Sequence, residues 1–202
     1  MKKTIISCVL FLTAVTAFSQ TPMKTAAEAK LSASDLAVKI ADRILATTTY
    51  EFKNTKTGKT YKSVKNLPLD MNVKVACKYN NWHYTNGVTH IALMELADKT
   101  GAKKYDDYVL KNMNFVFNEG NLDFFKQQYE QAMKNEGWYG VRKLSWHMIF
   151  RGKRLDDNGP MGASLIDLQI KHPNNSFLNY INETAEHLNY GEPVSYTHLR
   201  AH

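Results

Sequence analysis

The chain has 202 residues, 44% of them hydrophobic and 22% charged, and 26 Lys and Arg against 19 Asp and Glu give it a formal net charge of +7. No dense Lys/Arg cluster on one helix face and no nucleic-acid motif accompanies that charge, so nucleic acid is set aside as a partner. The +7 also includes Lys2, Lys3 and Arg200 from two ends that read as foreign to the fold, which leaves +4 for the core. A balance of that size suits an anionic substrate without requiring one.

The N-terminus reads as a secretory signal peptide over residues 1–19. Lys2 and Lys3 form a basic n-region, Ile5 to Ala17 an apolar h-region, and Ala17-Phe18-Ser19 a small-x-small cleavage site. The run is too short to span a bilayer, and no later stretch is long and apolar enough, so an exported protein, periplasmic or secreted, without membrane partners is expected. Cys8 lies inside the h-region, so only Cys77 remains after cleavage, as a buried inert thiol with no internal disulfide. At the other end Val194 to His202 resembles a translated sequencing adapter and is excluded from the fold.

Residues 20–33 are polar and Ala-rich, a flexible lead-in. Ser34-Asp35 then caps an amphipathic helix with Leu36, Ile40 and Ile44 on one face. Thr47 to Leu67, rich in Thr, Lys and Asn, reads as an exposed loop. Leu69 to Tyr79 is ambiguous, with Leu69, Val73, Ala76 and Cys77 allowing a helical turn or two.

From Trp82 onward the chain repeats itself. Asn86 to Val109 laid over Asn158 to Ile181 without gaps gives a period of 72 residues. Asn86-Gly87 falls on Asn158-Gly159, Leu93 on Leu165, Leu96 on Leu168, Lys99 on Lys171, Tyr105 on Phe177, Tyr108 on Tyr180 and Val109 on Ile181. Each copy is a helix, a short turn (Thr100-Gly101 or His172-Pro173) and a second amphipathic helix. Such a pair cannot bury its own apolar face and has to stack on neighbours. Tyr105, Tyr108, Phe177 and Tyr180 are structural on this reading, because their spacing recurs in both copies.

Between the copies, Phe115 to Gly120 ends one helix and Asn121 to Arg154 forms a long connection, with a short helix from Asp123 to Lys134 that stops at Gly137. Connections of that length inside a compact domain tend to carry function. This one leads to Asp156 and Asp157, two adjacent carboxylates at a helix start, then Asn158-Gly159 as a turn and Pro160 at a first helical position. An Asp there also caps free N–H groups, and capping and a site role can coexist.

Repeated hairpins fit an open solenoid or a closed toroid. In a toroid, alternate helix starts meet at one rim, so Trp82, Tyr84 and Asn86 would line the same cavity as Arg154, Asp156 and Asp157. Aromatic faces stack on pyranose rings while polar edges take the hydroxyls, so the set reads as a sugar cleft. Trp82 and Tyr84 read equally as core-edge aromatics. Trp138, Tyr139 and Trp146 are either cleft walls or packing, and Arg142 and His147 either uronate contacts or surface. His83 and His90 lack a third ligand nearby, so no metal is expected. No Gly-rich phosphate loop or nucleophile elbow appears, and no cofactor is expected.

The series Trp82-x-Tyr84-x-x-Gly87, Thr100-Gly101-x-x-x-Tyr105-x-x-Tyr108-Val109 and Leu155-Asp156-Asp157-x-Gly159-x-Met161-Gly162 resembles the glycoside hydrolase family 88/105 group, the unsaturated glucuronyl and rhamnogalacturonyl hydrolases. The resemblance runs from about Ser34 to Leu188, with the paired Asp as its most specific element; the helix-pair signature is shared by many helical toroids. It implies an all-α fold, an (α/α)6 barrel of which about the first half lies in residues 34–193. It also implies a substrate, an oligosaccharide with a terminal 4,5-unsaturated uronic acid. In that group an Asp protonates the C4=C5 enol ether, water adds at C5, and the hemiketal opens to release the sugar. The acid has to hold its proton near neutral pH, which burial beside a second carboxylate favours.

Asp157 matches the group's first functional Asp best and Asp156 second, while Tyr84 and Asn86 match the substrate-facing start of the first inner helix. The group's main acid/base Asp lies in a Trp-x-Asp motif one repeat later, which no residue after Gly162 supplies. On the repeat spacing it falls beyond Pro193, so the chain is expected to be inactive alone. A half toroid would also expose the faces meant for further hairpins. The alternatives are a non-catalytic secreted helical-repeat binding protein or, on the same toroid, an epimerase or lyase.

Overall fold

The computed structural model describes residues 32–117, 120–151 and 155–191, with backbone alone for 155–157 and 187–191. The signal peptide, the lead-in up to residue 31, Arg154, the side chains of Asp156 and Asp157, and the 194–202 tail lie outside the described residues. The chain forms two compact units, up to Leu36 and from Ala37 onward.

The structure is mostly helical, with one small sheet. Helix α1 (Ala33–Thr47) starts one residue before the expected cap: Ser32, not Ser34, accepts a hydrogen bond from the Asp35 amide, at 3.1 Å. The expected Leu36/Ile40/Ile44 face is also corrected. Leu36 and Ile40 stay exposed, while Ala41, Ile44 and Leu45 join the core. Three- and four-residue steps from Ala41 lead on to Thr48, whose hydroxyl bonds the Tyr108 hydroxyl at 2.9 Å.

The segment expected to be loop, Thr47 to Leu67, holds two short strands, β1 (Phe52–Asn54) and β2 (Thr60–Tyr61), and the Leu69–Tyr79 stretch holds a third, β3 (Val73–Val75), in place of the helical turn its residues allow; the antiparallel order is β2-β1-β3. Phe52 faces both Tyr61 and Val75 in register. Phe52, Val73 and Val75 are buried, and the Phe52 ring packs on Phe115, Phe124 and Phe125. The Asn54 side chain accepts from the Lys56 and Thr57 amides, at 3.0 Å each, and turns the chain back into β2.

Two helical hairpins follow, as the repeat predicts: α2 (Tyr84–Thr100) with α3 (Lys104–Phe117), then α5 (Leu155–Lys171) with α6 (Asn175–Gly191). Gly101 ends α2 in the left-handed conformation, φ 71°, with its N–H on the Ala97 carbonyl. The corresponding turn of the second hairpin uses Asn174, which caps α6 by accepting from the Ser176 amide at 2.8 Å. Tyr105, Tyr108 and Phe177 are buried, and Tyr180 packs against the same core. α2 buries Asn86, Gly87, His90, Leu93, Met94 and Ala97, more than one stripe, because it packs against both α3 and α5.

The expected turn at Asn158-Gly159-Pro160 is corrected. α5 already begins at Leu155, so these residues are helical and Pro160 lies inside the helix. Lacking an N–H, Pro160 leaves the Asp156 carbonyl without its usual helical partner.

The long connection is largely α4 (Asn121–Val141), interrupted at the expected place by Gly137, whose φ of 60° and ψ of −149° are not helical. Buried Gln128 bonds the Asp70 and Val73 carbonyls, at 2.8 and 3.1 Å, and so ties α4 to the sheet. A 3-10 turn (His147–Phe150) follows Trp146. Trp146 holds a φ of 60°, rare for so bulky a residue. Its amide bonds Asn81 at 2.6 Å, and its buried ring stacks on Phe125, two attachments that offset the backbone strain.

Candidate functional site

α2 and α5 lie side by side, and their closest approach is at Gly87. A Cβ there would stand 2.4 Å from both the Met161 nitrogen and the Pro160 carbonyl carbon, so only glycine lets the two backbones meet. This contact brings the starts of the two helices to one end of the pair, although their residues are far apart in sequence.

Two asparagines anchor those starts in parallel ways. Asn86, buried, donates to the carbonyls of Lys78 and Asn81, at 2.9 Å each. Asn158, its repeat equivalent and also buried, donates to the Arg151 carbonyl at 2.9 Å. The Asn158 side-chain oxygen in turn accepts from the Trp82 indole N–H at 2.9 Å, a fully buried bond across 76 residues. Each asparagine ties a helix start to the segment before it, and the Trp82 bond ties the two starts together.

Of the residues read as substrate-facing, Tyr84 is exposed, with its ring against His83 at 4.8 Å. Trp82 has no exposed surface and packs edge-on against Phe117 and Tyr180. Trp82 and Asn86 are therefore in position to hold the helix starts in place, and the surface they support is offered by Tyr84. The backbone of Asp156 and Asp157 lies in the first turn of α5. There a carboxylate meets the free N–H groups and the positive end of the helix dipole.

The aromatic residues of the connection divide. Trp146 is core, so it walls no cleft, whereas Tyr139 is 70% exposed. Trp138 lies under the Arg151 guanidinium, 4.0 Å from ring centroid to carbon, with the His147 ring edge-on at 5.8 Å. His147 Nδ1 is 2.7 Å from the Leu144 carbonyl, which fixes the ring, and Arg142 is exposed.

Two cavities flank α6. One of about 250 Å³ is apolar and opens at the start of α5, with Trp82, Asn158, Gly159 and Tyr180 among its lining. The other, about 540 Å³, lies between α4, the 3-10 turn and α6 and carries Asp123, Lys126, Glu130 and Glu183 on its walls. Sequence reasoning missed the second because its charged residues follow no motif. Tyr180 touches both, its hydroxyl donating to the Ile149 carbonyl at 3.1 Å. Burial holds that phenol well above its ordinary pKa, so it serves as a neutral donor.

The burial of His90 has no signal in the sequence either. The residue is 2% exposed, neither ring nitrogen has a hydrogen-bond partner among the described residues, and burial pushes its pKa down to about 4. The ring is thus neutral at physiological pH. Cys77 is partly buried and free, its sulfur 3.9 Å from the Thr47 carbonyl. Among the described residues no group of three or more His, Cys, Asp or Glu is placed to hold a metal ion. No described helix is long and apolar enough to cross a membrane.

No protein-family model matches the chain. No curated protein matches it either.

Proposed function

We propose that the chain is the leading portion of an exported hydrolase that removes a terminal unsaturated uronic acid from oligosaccharides by hydration of the C4=C5 double bond. In this reading the two hairpins are the leading members of an (α/α)6 barrel. Asp157, with Asp156 as the alternative, serves the reacting end, and Tyr84 and Arg154 contact the sugar. Trp82 and Asn86 position the helix starts from beneath. The observation that supports it best is the Trp82–Asn158 hydrogen bond together with the Gly87 approach. Through them the aromatic start of α2 and the paired-Asp start of α5 share one end of a helix pair, as a two-sided sugar cleft requires.

The test uses the complete product of the gene, read through its 3′ end, with lyase-generated oligosaccharides. The measurement follows the ultraviolet absorbance of the conjugated unsaturated uronate. The expected outcome is a Trp-x-Asp motif after Pro193, loss of absorbance with the wild type, and a rate about 10²–10⁴ lower for Asp157→Asn, as for loss of an acid/base group. A complete product that leaves the absorbance unchanged, or an Asp157→Asn variant as fast as wild type, would sink the proposal. The open apolar cavity beside α5 favours one second reading, a helical-repeat binding protein, in which the product binds its partner and transforms nothing.

A further inference from the structure

The small sheet carries a concentration of positive charge that no single helix matches. Residues 52–79 hold seven lysines, no arginine and a single acid, Asp70. That carboxylate is engaged by amides: it accepts from the Asn54 side chain and from the backbone and side chain of Asn72, each at 2.8 Å. The salt bridges among the described residues use Lys104, Lys143 and Lys171 and none of these seven. Burial of Phe52, Asn54, Val73 and Val75 sends the alternate residues Lys53 and Lys74 to the outer face of the sheet. There the register sets Lys53 directly opposite Lys74 on one side and Thr60 on the other. Like charges directly opposite destabilise a strand pair. Lysine on an edge strand guards against stray pairing, which accounts for Lys74 on β3 but not for Lys53 on the central strand β1. Lys56 and Lys59, both exposed, continue the charge into the turn between β1 and β2.

We propose that the outer face of this sheet binds an acidic polysaccharide, a chain whose carboxylates are spread among hydroxyls. A negative partner between Lys53 and Lys74 turns their mutual repulsion into a shared attraction. The residue types select the class of polyanion. Lysine is a point charge that suits separate carboxylates, whereas the planar arginine fork that matches a phosphate is missing throughout residues 52–79. Thr60, beside Lys53 on the same face, adds a hydroxyl that both donates to and accepts from a sugar. The aromatic rings of the strands, Phe52 and Tyr61, pack toward the core, so the outer face offers bases nothing to stack on. It also carries no apolar side chain to enter a bilayer, Lys53, Thr60 and Lys74 being its strand residues. The sheet is separate from the starts of α2 and α5. This binding therefore stands or fails independently of the hydrolase reading.

The probe is a fluorescein-labelled oligogalacturonate, titrated against the whole chain by anisotropy at physiological salt beside its fully methyl-esterified, uncharged form. The charged probe is expected to bind saturably, and the ester to show no binding. Lys53→Gln with Lys74→Gln is expected to weaken binding roughly tenfold. Lys126→Gln with Lys134→Gln, two exposed lysines of α4, makes the same change in net charge and is expected to leave binding within about twofold of wild type. Melting followed by circular dichroism supplies a second readout. Because the sheet variant removes a like-charge pair, it is expected to melt no lower than the wild type while it loses the ligand. Absence of saturable binding overturns the proposal, as does equal binding of the ester or an equal loss in the two double variants. A sheet variant that melts below the wild type assigns the lysines to the fold and overturns it too. A DNA duplex or phosphatidylserine vesicles bound as tightly as the oligogalacturonate would give the surface to phosphate and end the polysaccharide assignment.

Discussion

The first hairpin, α2 with α3, and the second, α5 with α6, carry matching residues 72 positions apart, yet they sit in different surroundings. Gly87 is pressed against backbone and Gly159 faces open space. Asp98 and Asp106 hold a lysine, while Ile170 and Leu178 stand exposed where the repeat would place acids. Asn86 and Asn158 do the same work in both. The repeat therefore preserves what builds a hairpin, namely the buried amide and the Leu and aromatic positions. It varies what joins one hairpin to the next. Equivalent positions should accordingly respond alike to substitutions inside a hairpin and differently at the joint.

The largest contrast is expected at the glycines. In Gly87→Ala the added methyl meets the Pro160 and Met161 backbones, which cannot move aside as a side chain would, so a loss of about 3 kcal/mol is expected in urea denaturation. Melting of Gly87→Ala at or above the wild-type temperature would show that the α2–α5 joint is looser than described.

His90 sharpens the comparison through pH. Its repeat equivalent is Gly162, so the second hairpin has no imidazole at that position. The folded pKa of about 4 lies below the ordinary value of 6.5. Above pH 6.5 both folded and unfolded forms are neutral and nothing is lost. As pH falls from 6.5 to 4 the unfolded chain takes the proton first, and stability drops by on the order of 3 kcal/mol. His90→Leu should flatten that stretch of the curve, and an unchanged slope between pH 6.5 and 4 would count against a neutral buried ring.

Asn158→Ala removes the acceptor of the Trp82 indole and the donor to Arg151, and leaving a buried N–H unsatisfied costs about 2 kcal/mol. Asn86→Ala should cost a similar amount, since two part-buried hydrogen bonds to main-chain carbonyls are lost. A large difference between the two variants, measured by chemical denaturation, would break their equivalence as anchors. The smallest effect carries the opposite sign. Gly159→Ala, helical and unobstructed, should stabilise by about 0.5–1 kcal/mol, through helix propensity alone. A destabilised Gly159→Ala would mean that something already occupies its seat.

The helical hairpins were readable in the chain because their signals recur. Leu93 with Leu165 and Tyr105 with Phe177 mark the same buried positions twice, which separates pattern from coincidence. The sheet was not readable. Strands of two and three residues are too short for an alternating pattern, and Lys53, Asn54, Thr60 and Lys74 within them look like loop. The start of α5 was displaced because Asn-Gly-Pro reads as punctuation locally. Tertiary contact with Gly87 and the Trp82 bond keep it helical, which local propensity does not register. At the site, the meeting of the two helix starts was legible from the repeat. That Trp82 and Asn86 would turn inward was not, because burial of a Trp or an Asn depends on a partner 76 residues away in one case and on main-chain carbonyls in the other.

The Gly87 seat also has a consequence in time. α2 finds its principal neighbour only in α5, 72 residues later in the chain. At synthesis rates of about 5–20 residues per second, roughly 4–14 s separate the appearance of the seat from that of the helix that fills it. Throughout that interval the side of α2 around Gly87 lacks the neighbour that covers it, on a hairpin that already has its local hydrogen bonds. A nascent chain stalled between Phe117 and Leu155 would thus be a sticky intermediate and a target for holdase chaperones, and release of the holdase should coincide with emergence of Met161 rather than with completion of α6.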